Sequence, residues 1–193
     1  MNFLDKLEKR IGFLAIPNVV TTLIVAQLFI YGTMLTGRIE LEGLLLIPKA
    51  ISSGEWWRLA SFLIAPPYVP MTLFQGLFLA FFWYILWMMS NSLEEEWGTF
   101  RLNIYLLTCV VLAVAGAFVG QVISPTGTIF VAPRLLYFCV FFAFATFNPN
   151  IEFLVMFVIP MKVKWMAWIL LAFGVIAFLS MSTIGHRLAF AAP

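Results

Sequence analysis

Three adjacent carboxylates lie between two long apolar stretches in LEEEWGTFR, the segment at residues 93–101. Charges at this density do not enter the hydrocarbon core of a bilayer, so the segment predicts a turn at a water-facing surface between two membrane spans. Of the 193 residues, 63% are hydrophobic and only 10% are charged. That composition lies outside the range of soluble domains. The sequence therefore predicts an integral, multi-pass membrane protein.

Five apolar runs each have about the length that crosses a bilayer, and their continuity favours helices over the alternating strands of a barrel. We expect helical spans at Ile16–Leu35, Met71–Met89, Phe100–Ile123, Thr128–Phe147 and Val163–Met181. The predicted fold class is all-α, a polytopic transmembrane helical bundle that forms a single domain over residues 1–193. Leu188–Pro193 resemble the opening of a sixth apolar run, so we expect the chain to be truncated at its C-terminus.

The basic residues favour one orientation in the membrane. Six of them lie on the side of the membrane where the predicted topology places the N-terminus, and four or five lie on the opposite side. Because positive charge is enriched in cytoplasmic loops, this mild bias puts the residues before Ile16 in the cytoplasm. No removable signal peptide is evident in Met1–Gly12. We expect the protein in a bacterial inner or plasma membrane.

The long connection Thr36–Pro70 is neither polar nor of disordered composition. Its apolar runs are too short to span, and its tryptophans are typical of interfacial anchors. We therefore predict an external loop that is embedded in the membrane.

Composition and motifs also exclude several classes of partner. The net charge is only +2 and the basic residues are scattered, which excludes a nucleic-acid partner. Cys109 and Cys139 both lie within apolar runs, so we interpret them as core residues without a disulfide framework. We expect no metal and no small-molecule cofactor. A pattern of small residues at 113–120 on the third span permits close helix packing, which we expect within the bundle rather than between copies.

Two motifs and one later segment resemble the rhomboid superfamily. The first motif lies in the external connection and the second follows the second span; their matching residues are Gly54, Trp56, Trp57, Arg58 and Leu59, then Leu93, Glu94, Trp97, Gly98 and Arg101. The later segment comprises Asn148–Asn150 and Ile159–Trp165. Trp-Arg and Leu-Glu-Glu also occur in the derlins, the non-proteolytic branch. We interpret the motif residues as parts of the scaffold.

The resemblance implies a protease fold whose catalytic residues have been lost. Rhomboid proteases use a serine at the start of the fourth span, a histidine in the sixth, and a His and Asn in the second. The family's spacing puts Phe78 and Phe82 at the second-span positions and Arg134 near the nucleophile position, and no serine occurs between Ser124 and Ser180. The resemblance thus favours a derlin-like pseudoprotease that binds or handles transmembrane client segments, with membrane lipid as its other partner.

Two alternatives stay open. Thr126, in Pro125-Thr126-Gly127, can be aligned as the nucleophile of an active intramembrane endopeptidase with His186, the only histidine, as its base. A turn and an interfacial histidine explain the same residues. A transporter or channel subunit is the other class, but it requires an ionisable path or broken helices. The sequence therefore favours the absence of enzymatic activity without deciding it.

Arg134 is a cation just inside the predicted fourth span. At the outer end of that span its side chain can reach the interface. The functional alternative is a polar site that grips a client helix.

Overall fold

The computed structural model describes residues 3–37, 39–70, 72–125, 127–155, 159–180 and Arg187. It is 74% helical. The helices are α1 (Phe3–Ile11), α2 (Val19–Leu35), α3 (Pro48–Ser52), α4 (Arg58–Ile64), α5 (Leu73–Trp97), α6 (Thr99–Ile123), α7 (Arg134–Phe147) and α8 (Val163–Ser180). Two antiparallel strands, β1 (Glu152–Val155) and β2 (Ile159–Lys162), lie between α7 and α8. The all-α prediction missed this pair of strands.

Among the described residues, four helical segments are long and apolar enough to cross a membrane: Asp5–Leu35, which contains α2, then α5, α6 and α8. The prediction of a helical, multi-pass membrane protein is confirmed at that level. The boundaries of α6 and the start of α8 agree with the predicted spans within one residue. The first span begins at Val19 and not at Ile16, because Asn18 adopts a left-handed conformation with φ of 51°. Met71 and Met181, two of the predicted span ends, lie outside the described residues.

The prediction for the fourth span was wrong at its start. We expected a helix from Thr128, but α7 begins at Arg134 and has only 14 residues, a rise of about 21 Å. Residues 128–133 instead form an extended segment in which Val131 pairs with Leu46 through two backbone hydrogen bonds (2.9 and 3.2 Å). Pro133, which has no N–H to donate within a helix, immediately precedes the first turn.

The turn predicted within residues 93–101 is present, but it lies after the three carboxylates and not at them. Helix α5 continues to Trp97, so Glu94–Glu96 belong to its last turns. The chain reverses at Gly98 alone, whose φ of 82° and ψ of 154° are strongly unfavourable for residues with a Cβ.

Helix α7 is the centre of the molecule. Nine of its 14 residues are buried, and it contacts α5, α6 and α8. It runs parallel to α5, because Tyr137 near its start packs on Phe82 and Phe147 at its end packs on Trp97. A helix that is apolar on all sides is typical of such a position.

The connection between α2 and α5 packs on α6. Leu46, Ile51 and Phe62 form a buried cluster with Ala113 and Ala117. Gly116 and Gly120 are buried as well. The small-residue pattern of α6 is therefore used for packing within the chain, as expected.

Candidate functional site

Glu94 links three parts of the chain at one end of the bundle. The backbone N–H of Asn18 donates to both carboxylate oxygens (3.1 Å each), and the Thr99 hydroxyl donates to Oε1 (2.7 Å). Asn18 precedes α2 and Thr99 begins α6, so the carboxylate lies at the positive ends of two helix dipoles. Asn103 reinforces the link by exchanging two hydrogen bonds with the backbone of Ile16 (2.9 and 3.2 Å).

The other predicted scaffold residues lie close to this link or in the connection between α2 and α5. The Trp97 ring makes edge contacts with Tyr105 and Phe147 (centroids 5.2 Å apart in each case). Arg101 pairs with Asp5 of α1 at 3.0 Å, with both side chains partly exposed. Such a surface pair contributes little to stability.

Arg58 organises the connection between α2 and α5. Its side chain is buried, pairs with Glu55, and donates from Nη1 to the carbonyls of Glu42 (2.7 Å) and Leu45 (2.9 Å). The neighbouring Trp56 and Trp57 are both exposed, which agrees with the predicted role as interfacial anchors. Gly54, with φ of 114°, supplies the turn before them. The motif thus holds residues 42–45 against the start of α4.

A closed polar network lies at the centre of the bundle, one turn into α7. Gln27 is 1% exposed; its Nε2 donates to the hydroxyl of Tyr137 (2.7 Å) and to the carbonyl of Leu63 (3.1 Å). Its Oε1 accepts from the indole N–H of Trp83 (2.9 Å). Phe82 covers this network with its ring against that of Tyr137 (centroids 5.1 Å apart). The network ties together α2, α4, α5 and α7.

Sequence reasoning missed Gln27, Trp83 and Tyr137. A signal was present, because Gln27 is an amide in the middle of an apolar run, where polar groups need partners. The partners could not be named, since they lie 56 and 110 residues away in the chain.

Two of the positions predicted to replace the catalytic set, Phe82 and Arg134, lie at the start of α7. Phe82 lies against α7, whereas Phe78, one turn earlier on α5, is 41% exposed. Arg134 is the first residue of α7 and is exposed. Phe78 also lines a shallow depression of about 530 Å³ together with Tyr68, Val69 and Gln75. Burial raises the pKa of Tyr68 above its ordinary value, and its hydroxyl donates to the carbonyl of Gln75 (3.1 Å).

The extended segment before α7 is held by one side chain. Gln121 Nε2 donates to the carbonyls of Ser124 (3.2 Å) and Gly127 (2.9 Å), and its Oε1 accepts from the N–H of Ile129 (3.3 Å). These three bonds tie the backbone on both sides of Thr126 to α6. Thr126 itself and His186, the two residues of the alternative protease hypothesis, lie outside the described residues.

Few side chains in the part of the chain that the structure describes are placed to bind a metal or to act in catalysis. No group of three or more His, Cys, Asp or Glu side chains that could hold a metal ion is found there. Around the start of α7 the described polar side chains are the amide of Gln27, the indole of Trp83, the phenol of Tyr137 and the guanidinium of Arg134, which are poor general bases at neutral pH.

The long helices differ in the aromatic content of their exposed apolar surfaces. Helix α5 exposes four aromatic side chains and two leucines, and α8 exposes three aromatic and five aliphatic side chains. The aromatic ones are Phe74, Phe78, Tyr84 and Trp87 on α5, and Trp165, Trp168 and Phe173 on α8. The large exposed apolar side chains of α6 are all aliphatic: Leu107, Val111, Leu112, Val119, Val122 and Ile123. Helices α5 and α8 both pack on α7.

Comparison with known proteins identifies no relative: no family model matches the chain, and no curated protein or solved structure resembles it significantly.

Proposed function

We propose that this chain is a rhomboid-like membrane protein without protease activity, which binds transmembrane segments of other proteins along α5 and α8. The observation that carries the proposal is that α5 and α8 together expose seven aromatic side chains, whereas α6 exposes none. Aromatic side chains bury more surface than aliphatic ones and dominate the energetics of interfaces. Because α5 and α8 both pack on α7, a client helix can contact either of them beside the centre of the bundle.

The arrangement around α7 supports the loss of catalysis. The rhomboid resemblance expects the nucleophile at the start of the fourth span, which corresponds to α7. Arg134 occupies that place, and Phe82 packs on Tyr137 where a hydrogen-bonding side chain would be needed. The nearby polar groups of Gln27 and Trp83 are bonded to one another, so they are not free to stabilise an oxyanion.

The proposal includes a topology of five crossings with the N-terminus in the cytoplasm of a bacterial inner or plasma membrane. Its support is the parallel direction of α5 and α7 and the mild excess of basic residues on the amino-terminal side. In this topology the Glu94 link is cytoplasmic and the connection 36–70 is external.

Client binding is tested by site-specific photocrosslinking in liposomes. A photoreactive phenylalanine analogue replaces Phe74 on α5 or Trp168 on α8, and the matched control carries it at Val111 on α6, which is also exposed. The purified variants are reconstituted with a panel of labelled single-span peptides. We expect peptide adducts at least about fivefold more abundant at the two aromatic positions, a preference of about 1 kcal/mol. Unlabelled peptide should compete for this excess.

Equal adduct yields at all three positions, or a signal that does not saturate, would contradict the proposal.

The alternative protease hypothesis is decided in the same liposomes by Thr126→Val combined with His186→Ala. Peptide cleavage by the parent chain that disappears in this variant would establish the protease and overturn the pseudoprotease assignment. Unchanged crosslinking without cleavage in either protein is the expected result.

A further inference from the structure

The only two cysteines of the sequence are Cys109 on α6 and Cys139 on α7, and these two helices pack on each other. Cys109 is 7% exposed and Cys139 is 8% exposed, and both belong to the main hydrophobic core. Their thiol groups interact directly, while neither is part of a disulfide in the structure. The proposed client face does not use them.

A separate hydrogen bond fixes the two helices in register at this level. The hydroxyl of Tyr105 on α6 donates to the backbone carbonyl of Cys139 on α7 (3.0 Å). Tyr105 lies one helical turn before Cys109, so both side chains project from the same face of α6. Sliding of α6 along α7 would break this bond, and the thiols therefore stay opposed.

Cys109 also borders a small void. The void measures about 10 Å³, close to the volume that one water molecule needs, and Phe62, Ala113 and Ala132 line it as well. Phe62 belongs to α4 and Ala132 to the extended segment before α7, so the void lies toward the connection between α2 and α5. We expect a small uncharged oxidant to reach the thiol pair through this void, and therefore to meet Cys109 first.

We propose that Cys109 and Cys139 form an internal disulfide when the membrane is exposed to a hydroperoxide, and that this bond locks α6 to α7. The Cys109 sulfur attacks one peroxide oxygen, the O–O bond breaks, and a sulfenic acid and one molecule of water (or alcohol) result. The Cys139 thiol then displaces the sulfenic hydroxyl as water, which forms the S–S bond. The two thiols lose two electrons and two protons in total, and the peroxide gains them.

The surroundings favour a disulfide over a metal bound by the same two sulfurs. A monovalent soft metal held by two thiolates leaves a net negative charge in an apolar core, whereas a disulfide is neutral. No other described Cys, His, Asp or Glu completes a cluster of three around the pair.

The experiment uses the full chain in liposomes, before and after treatment with hydrogen peroxide. The protein is then unfolded in detergent, alkylated with a maleimide and weighed intact. We expect two maleimides per reduced chain, and after oxidation none, with a mass lower by two hydrogen atoms. Cys109→Ser and Cys139→Ser should each keep one thiol and never lose that hydrogen pair.

Stability provides the second measurement. Oxidation should raise the midpoint of thermal unfolding in the parent chain by several degrees and leave both serine variants unchanged, since a bridge between residues 109 and 139 restricts the unfolded chain. The proposal is overturned by two alkylated cysteines after peroxide treatment, by added oxygen without loss of hydrogen, or by a bond formed only between two chains. The mass result on the parent chain decides the question even where a serine variant fails to fold.

Discussion

At the residue scale, Glu94 shows why one of three consecutive carboxylates differs from its neighbours. It accepts hydrogen bonds from the residue before α2 and from the first residue of α6, whereas Glu95 and Glu96 are exposed. A charge at a helix N-terminus stabilises the helix through the unpaired N–H groups of its first turn. Glu94 serves two helices at once, and its place at the end of α5 makes it the connection among three of the long helices.

Replacing Glu94 should therefore destabilise the protein more than replacing its neighbour. We expect Glu94→Ala to lower the free energy of unfolding by about 1–2 kcal/mol, the usual cost of removing a helix cap. Glu95→Ala is the matched control and should change it by less than about 0.5 kcal/mol, as surface substitutions do. Thermal unfolding in detergent micelles measures both. Equal effects of the two substitutions would show that the Glu94 link contributes nothing specific.

Removing a side chain of the central network should lower the stability of the protein more than removing a single hydrogen bond at the periphery. Gln27→Leu keeps a similar volume but leaves the indole N–H of Trp83 and the carbonyl of Leu63 without their partner. Unsatisfied buried polar groups cost about 1–3 kcal/mol each, so we expect a loss of at least about 2 kcal/mol. The control Thr108→Val also removes a polar group, but Thr108 is exposed and bonds only within α6. A loss no larger than that of the control would contradict the network's role.

At the element scale, the reversal between α5 and α6 depends on the backbone of one residue. A Cβ at Gly98 would meet no other atom within 4 Å, so the requirement for glycine is conformational and not steric. We expect Gly98→Ala to destabilise the protein by about 1–3 kcal/mol through backbone strain. Gly76→Ala in α5 has equal space but helical geometry, and it should be neutral or slightly stabilising.

Equal losses for both glycine substitutions in the same unfolding assay would show that the junction tolerates a side chain. That result would remove the explanation given for glycine in the motif at 93–101.

The elements also show which parts of the fold hydropathy can predict. The ends of α6 were predicted almost to the residue, because charged and turn-forming residues bound its apolar run on both sides. The start of α7 was not, because residues 128–133 are as apolar as a helix that faces lipid. What makes them extended is the pairing of Val131 with Leu46, a partner 85 residues away. An apolar composition predicts that a segment is shielded from water, but it does not predict whether lipid or protein surrounds the segment.

At the scale of the whole molecule, a short helix is tolerated because other helices surround it. The hydrocarbon core of a bilayer is about 30 Å thick, and α7 rises only about 21 Å. A lipid-facing helix of this length would leave polar backbone in contact with hydrocarbon. Here the backbone before α7 bonds to Gln121 and to Leu46, and the helix itself is covered by α5, α6 and α8. In the proposed topology of five crossings, the extended segment and the short helix together make the fourth crossing.

This arrangement predicts which connections between helices lie on the same side of the membrane. Phe147 packs on Trp97 and Asn148 bonds to Ser92, so residues 148–150 lie at the same end of the bundle as the α5–α6 junction. Ser53 follows α3 at the opposite end.

In a background with both native cysteines changed to alanine, Glu95→Cys and Asn150→Cys should react with an impermeant maleimide from one side of sealed vesicles. Ser53→Cys should react only from the other side, and all three positions are exposed. If Asn150→Cys reacts together with Ser53→Cys, α7 does not cross the membrane and the five-crossing topology is wrong. If the Glu95 and Asn150 positions react from the cytoplasmic side, the basic residues have set the orientation as proposed; reaction from the outer side would reverse the orientation while leaving the five crossings intact.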